Sequence, residues 1–109
     1  MKEQYGITFE KVKIAGGSSI HYADNLHWKD GDLSHHLYCS DKYATVAQIA
    51  ALDRALNGEH IQEHWGNVMG SGLYIYPADG EVEIGNDLRR ISIIDFKELL
   101  EEWLAFLNT

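Results

Sequence analysis

The sequence predicts an α+β domain: an antiparallel sheet of about five strands with two helices packed on one face, built from residues 1–109 as one unit. Three observations carry that expectation. The N-terminal part alternates apolar and polar residues with the period of a strand. A second alternating pair of segments flanks Pro77-Ala78-Asp79-Gly80. The last segment repeats its apolar residues with the period of a helix.

Taken in order, Tyr5, Ile7 and Phe9 alternate, and Val12 and Ile14 continue in the opposite phase. A β-bulge near Glu10-Lys11 would reconcile the two phases. Gly16-Gly17 breaks the run, and Ile20 and Tyr22 suggest a further short strand. Asp30-Gly31 then lies between Leu26/Trp28 and Leu33/His35/Leu37/Cys39, a hairpin signal.

A helix is expected next. Thr45-Val46-Ala47-Gln48 fits a capping box, in which the Thr hydroxyl takes a free amide and Gln48 reaches back. Val46, Ile49, Leu52 and Leu56 follow at helical spacing, and Asn57-Gly58 supplies a stop. Residues 59–71 carry little pattern. Leu73 and Ile75, then the Pro77 turn, then Val82 and Ile84 form a hairpin, with Pro77 at the turn because it cannot donate to a ladder. Arg90 to Ile94 can end a strand. Asp95 is expected to cap the last helix, with Glu98 at the box position and Ile94 and Leu99 as a staple. Phe96, Leu99, Leu100, Trp103, Leu104 and Leu107 make its apolar face. Lys97, Glu98, Glu101, Glu102 and Asn108 make its polar one.

Composition narrows the function. A hydrophobic fraction of 45% is globular. Twelve aromatics can bury a large apolar area in so short a chain. Nine Lys and Arg against seventeen Asp and Glu give a net charge of −8. Direct nucleic-acid binding needs a basic footprint, which this balance opposes. Residues 79–109 hold eight of the acids against Arg89, Arg90 and Lys97, so the acidity gathers toward the C-terminus. Cys39 is the only cysteine, as expected in a reducing compartment. No secretory signal and no membrane span are expected, so the reading is cytoplasmic.

The sharpest motif is His60-Ile61-Gln62-Glu63-His64, the H-x-x-E-H string of inverted zinc peptidases. On a helix, histidines at i and i+4 share a face and can grip a metal, with Glu63 as base. The chain is short for the further ligand and cleft that such enzymes need, and Gly58 breaks the helix just upstream. His35-His36 is placed in a strand, where neighbours point to opposite faces and cannot chelate one ion. A nuclease using two histidines would have to attract a polyanion against the net charge. Gly16-Gly17-Ser18-Ser19 lacks the lysine of a phosphate loop, and Gly70-Ser71-Gly72 lacks the spacing of a nucleophile elbow. Cys39 reads as a small apolar strand residue.

The closing run Ile91-Ser92-Ile93-Ile94-Asp95-Phe96-Lys97-Glu98-Leu99-Leu100-Glu101-Glu102-Trp103-Leu104-Ala105-Phe106-Leu107 resembles the terminal strand-to-helix of small bacterial immunity proteins. These protect cells from polymorphic toxins, including those of contact-dependent growth inhibition. The likeness covers the last fifth of the chain and lies in its amphipathic pattern, accompanied by similar length, acidity and order of elements. It implies an inhibitor that binds a toxin domain, a nuclease with a basic cleft, with no catalytic residue, metal or cofactor of its own. The expected contact residues are Asp79, Glu81, Glu83, Asp87, Glu98, Glu101 and Glu102. The other readings are a small metal-dependent hydrolase using His60, Glu63 and His64, and a non-inhibitory interaction domain.

Overall fold

The computed structural model describes residues 1–25, 31–68, 71–85 and 89–109. The α+β class is as expected, but the architecture differs: the described residues form two antiparallel sheets, of two and four strands, and three α-helices. After a 3₁₀ turn at Lys2–Tyr5, β1 (Ile7–Lys13) and β2 (Ser19–Asn25) form a ribbon. Helices α1 (Gly31–Cys39) and α2 (Lys42–Leu56) follow. Strands β3 (His64–Val68), β4 (Ser71–Tyr76), β5 (Glu81–Ile84) and β6 (Arg89–Ser92) form the second sheet in that spatial order, and α3 (Ile93–Leu107) ends the fold.

The main correction is α1. Residues 33–39 are helical, not the second arm of a hairpin. Their apolar residues do alternate. The set that is buried, however, is Leu33, Ser34, His36 and Leu37, the i, i+3, i+4 face of a helix with two polar members. Cys39 is buried at its C-terminal end. His35 and His36 still divide between surface and core, by helical geometry instead of strand geometry. Leu26 and Trp28, the other arm of that expected hairpin, and Asp30 of its expected turn lie outside the described residues.

The ribbon carries no bulge. Its register runs unbroken from Ile7↔Asn25 to Lys13↔Ser19. The change of apolar phase has another cause: the ribbon leaves the body, so Ile7 and Phe9 face the core while Val12 lies on the outer face with 44% of its surface exposed. Tyr5 belongs to the preceding 3₁₀ turn, which Gly6 closes at φ 65°.

Both helix caps sit upstream of the expected ones. Asp41 Oδ1 accepts from the Ala44 amide at 2.8 Å and caps α2. Thr45 lies inside the first turn, its hydroxyl donating to the Asp41 carbonyl at 2.6 Å. α2 is also rotated from expectation. It buries Thr45, Gln48, Ala51, Leu52 and Ala55, and Val46 stays 53% exposed. The small Ala51 and Ala55 let α2 lie close to its helical neighbour α3. At α3 the cap is Ser92, whose Oγ accepts from the Asp95 amide at 3.0 Å. Asp95 therefore occupies the third helical position, where a carboxylate favours the helix dipole. Ile94, expected in a staple, is 63% exposed. Ile91 and Phe96 are the buried residues at the staple positions of the Ser92 cap.

One core joins both sheets and all three helices. Leu73, Ile75, Val82, Ile84 and Ile91 come from the inner face of the four-stranded sheet. Phe96, Leu99, Leu100 and Trp103 come from α3, as the sequence pattern requires. Trp103 is edge-on to Phe9 of the ribbon at 5.1 Å. Its Nε1 donates to the Ser40 carbonyl at 2.8 Å, tying α3 to the α1–α2 junction. Lys97 Nζ meets Asp53 Oδ1 at 2.6 Å and links α3 to α2 at the surface. With these helices on its inner side, the four-stranded sheet turns its other face outward. No described helix is long and apolar enough to cross a membrane.

Candidate partner-binding face

The outer face of the four-stranded sheet follows from strict alternation. In Leu73-Tyr74-Ile75-Tyr76, the aliphatic residues enter the core, so both tyrosines must point out. Across from them Val82 and Ile84 enter the core, and Glu81 and Glu83 point out. Register then aligns one row across all four strands, His64–Tyr74–Glu83–Arg90, and a second of Tyr76, Glu81 and Ser92.

The aromatic members form a stack. His64 lies 5.3 Å from Tyr74, and Tyr74 lies 4.6 Å from Tyr76, with interplanar angles of 26° and 23°. The Arg90 guanidinium continues it, 4.1 Å from the Tyr76 ring centroid, a cation–π distance. Arg90 also gathers three of the expected acids. It lies 3.7 Å from Asp79, 3.3 Å from Glu81 and 3.6 Å from Glu83. The Tyr76 hydroxyl donates to Glu83 Oε2 at 3.4 Å. Each exposed ion pair contributes little alone, about 0–1 kcal/mol. Together they hold three carboxylates in a fixed array around a stacked cation. Three negative groups and one positive leave a net −2 on this face.

Two depressions flank the stack. One, of about 420 Å³, lies between residues 58–63 and the β4–β5 turn, with Glu59, His60, Glu63, Tyr76 and Asp79 in its lining. The other, of about 170 Å³, is lined by His64, Tyr74, Glu83 and neighbouring backbone. The H-x-x-E-H string runs between the two. It is not helical: residues 59–63 are irregular and His64 opens β3. The i, i+4 geometry that would bring both rings to one metal is therefore not formed. Among the described residues no group of three or more His, Cys, Asp or Glu is arranged to hold an ion.

The expected acids of α3 do not join this face. Glu98 and Glu101 are exposed on α3, which packs on the sheet's inner side. Glu102 is half-buried and engaged by the N-terminal segment: its carboxylate lies 3.3 Å from the Met1 amino group and accepts from the Lys2 amide at 3.5 Å. Asp87 lies outside the described residues. The expected acidic surface is thus two surfaces, a braced one on the hairpin and a plain helical one.

Family models, curated proteins and solved structures give no match to the chain.

The face is accordingly read from its own chemistry. Sequence reasoning missed Tyr74, Tyr76 and Arg90, and considered His64 only as a metal ligand. The signal for the tyrosines was present, since an alternating strand with Leu and Ile inside leaves Tyr74 and Tyr76 outside. The placement of Arg90 needed the register of β5 against β6.

Proposed function

We propose that this protein is an inhibitor of the immunity type, which binds a toxin domain and neutralises it, and that the outer face of the four-stranded sheet is its contact surface. The observation that carries this reading is the aromatic stack His64–Tyr74–Tyr76 bordered by the carboxylates of Asp79, Glu81 and Glu83. Stiff aromatic rings provide contact area with few torsions to freeze, and tyrosine is enriched among the residues that dominate binding energy. The surrounding carboxylates suit a basic surface such as a nuclease cleft, where they stand where substrate phosphates would stand. Arg90 holds them in place before the partner arrives, which lowers the ordering cost of association. The net −8 adds long-range steering toward a basic partner. Such an inhibitor works by occupancy and needs no catalytic group.

The test is co-expression in a bacterial host with the domain encoded immediately upstream. Protection from that domain's toxicity, together with a purified one-to-one complex weakened by Tyr74→Ala and by Glu81→Lys with Glu83→Lys, is expected. An upstream product that is harmless, or a complex indifferent to both variants, overturns the reading.

A further inference from the structure

Helix α2 is uncharged through its middle, and the fold covers that stretch on one side only. Residues 43–52 contain no charged side chain. Thr45, Gln48, Ala51 and Leu52 turn inward. Tyr43, Val46, Ala47 and Ala50 stand at i, i+3, i+4 and i+7 on the other side, and all four are exposed. Tyr43 shows 90% of its surface and Val46 53%. A depression of about 380 Å³ is lined by Lys42, Tyr43, Val46 and Ala47. A surface helix ordinarily turns a polar face to water, and a helix apolar all round is ordinarily covered all round. The outer stripe of α2 therefore has the composition of a contact.

The charges at the two ends of the stripe identify the occupant. Lys42 and Asp53 are eleven residues apart, close to three whole turns, so they share one flank of the helix. Two antiparallel copies of α2 related by a two-fold axis bring that flank of each against the same flank of the other. With the axis between residues 47 and 48, Lys42 of each copy stands level with Asp53 of the other, so one placement forms both ion pairs. Asp53 already receives Lys97 of its own chain at 2.6 Å, and a carboxylate has further acceptor positions for a second cation. The same placement sets Val46 between Ala47 and Ala50 of the other copy, where small side chains let helices approach closely. It also brings the Tyr43 ring to the Arg54 guanidinium, a cation–π pair. The surroundings are nearly balanced in charge. Lys42, Arg54 and Lys97 stand against Asp53 and Glu101, with Asp41 and Glu59 beyond the helix ends, three cations against four carboxylates in a chain of −8. We propose that a second copy of this chain covers α2, in a symmetric antiparallel pair held by the Tyr43–Val46–Ala47–Ala50 stripe and by reciprocal Lys42–Asp53 ion pairs. One helix pair is smaller than the about 1,200–2,000 Å² of a standard interface, so the dimer dissociates in the micromolar range. No residue of the stripe belongs to the four-stranded sheet, whose outer face stays open in each protomer.

The experiment is sedimentation equilibrium on the full chain across a series from about 5 to about 500 µM, the range of a modest interface. The mass should rise from 12.4 kDa toward twice that value. Val46→Glu should hold the monomer mass throughout, with an unchanged far-ultraviolet spectrum, because Val46 is outside the core. Ala50→Glu, also at an exposed position, is the second variant should the first disturb the fold. Lys42→Glu sets a carboxylate against Asp53 of the other copy and should weaken the dimer about tenfold, the size of a lost charge pair turned repulsive. A wild-type monomer at every concentration overturns the proposal. So does a dimer that survives Val46→Glu and Ala50→Glu, which would place its interface elsewhere. A dimer indifferent to Lys42→Glu overturns the antiparallel pairing. None of these measurements needs a toxin, so failure here and failure of the inhibitor reading are separable.

Discussion

The His36 imidazole meets the Gln48 side-chain oxygen at 2.6 Å in a part of the core that solvent does not reach. The surrounding bonds fix the roles. Gln48 Nε2 donates to the Ala44 carbonyl at 3.0 Å and to Ser40 Oγ at 3.1 Å, and Ser40 Oγ donates to the His36 carbonyl at 2.8 Å. Gln48 Oε1 is left as acceptor, so His36 Nε2 carries the proton. Replacing Gln48 by Leu would strand that donor in an apolar site, at a cost of about 1–3 kcal/mol. The double change with His36→Leu removes both partners and is expected to cost less than the sum of the two single changes. Urea denaturation of the four proteins measures this, and strict additivity would mean that the pair is not coupled.

The same contact sets a pH dependence. Burial holds the His36 ring below the ordinary histidine value of 6.5, against the opposing bond to Gln48 and with a smaller lowering contribution from the charge of His35. The unfolded ring takes up its proton before the folded one does. Stability therefore rises with pH where the unfolded state binds more protons. His36's contribution is fully present above about pH 6.5 and is lost as pH falls from there toward the lower folded value. The Glu3 carboxyl, brought down to about 2 chiefly by its bond to Lys2, acts in a separate and more acidic window. The urea midpoint of the wild type should fall between pH 7 and pH 5. His36→Gln should be less stable at pH 7 but lose less over the same range. Equal slopes would remove His36 as the cause.

What was legible in the sequence depended on whether polar residues stayed out of the core. The β4–β5 hairpin and the apolar face of α3 use aliphatic and aromatic residues inside and polar ones outside, so Leu73, Ile75, Val82, Ile84, Phe96, Leu99 and Trp103 were placed correctly from period alone. α1 and α2 bury Ser34, whose hydroxyl donates to the Gly31 carbonyl, and His36, Thr45 and Gln48, which bond one another or the junction around Ser40 and Asp41. A hydropathy pattern assigns such residues to the surface. It therefore shifted the period of α1 from helix to strand and turned α2 toward Val46. The sheet-face site was half legible: its acids and tyrosines follow from alternation, while Arg90's position among them depends on a pairing the sequence does not state.

Trp103 joins three parts of the core: α3, the ribbon through Phe9, and the α1–α2 junction through Ser40. Trp103→Ala should leave a void there and cost about 3–5 kcal/mol, a large part of a small domain's stability. Trp103→Phe keeps much of the packing and removes only the indole donor. The Thr45 hydroxyl, which donates to the Asp41 carbonyl, lies 3.3 Å from the Ser40 carbonyl and can turn its one proton to it. Its cost should stay near about 1 kcal/mol. Thermal unfolding of the two variants should separate them clearly. A comparable loss in both would make the hydrogen bond, and not the packing, the main contribution.

His21 offers a gain. Its Nε2 is buried without a hydrogen-bond partner, and its ring sits edge-on to Phe106 at 5.0 Å. An apolar ring of similar shape keeps the contact and removes the unsatisfied nitrogen. His21→Phe should leave stability unchanged or raise it by up to about 1 kcal/mol. A loss would show that the imidazole's other nitrogen, or the exact ring size, matters more than the orphan atom.

Arg90 gives the most direct handle on the proposed contact face, because two effects of removing it oppose each other. Arg90→Gln takes the only cation out of the array formed with Asp79, Glu81 and Glu83, so those groups go from a net −2 to −3. Long-range attraction for a basic partner should increase, and association at low salt should quicken. The carboxylates, however, lose the group that holds them, and the Tyr76 ring loses its stacked guanidinium. A less ordered surface must be ordered on binding, which should raise the dissociation rate. The fold should barely notice, since Arg90 is exposed and surface pairs contribute about 0–1 kcal/mol. Association and dissociation rates with the proposed toxin partner, measured at several salt concentrations for wild type and Arg90→Gln, test both parts. Faster association confined to low salt, with faster dissociation at every salt, is expected. Identical rates would place the contact away from the sheet face, leaving the exposed Glu98 and Glu101 of α3 as the acids to reverse next.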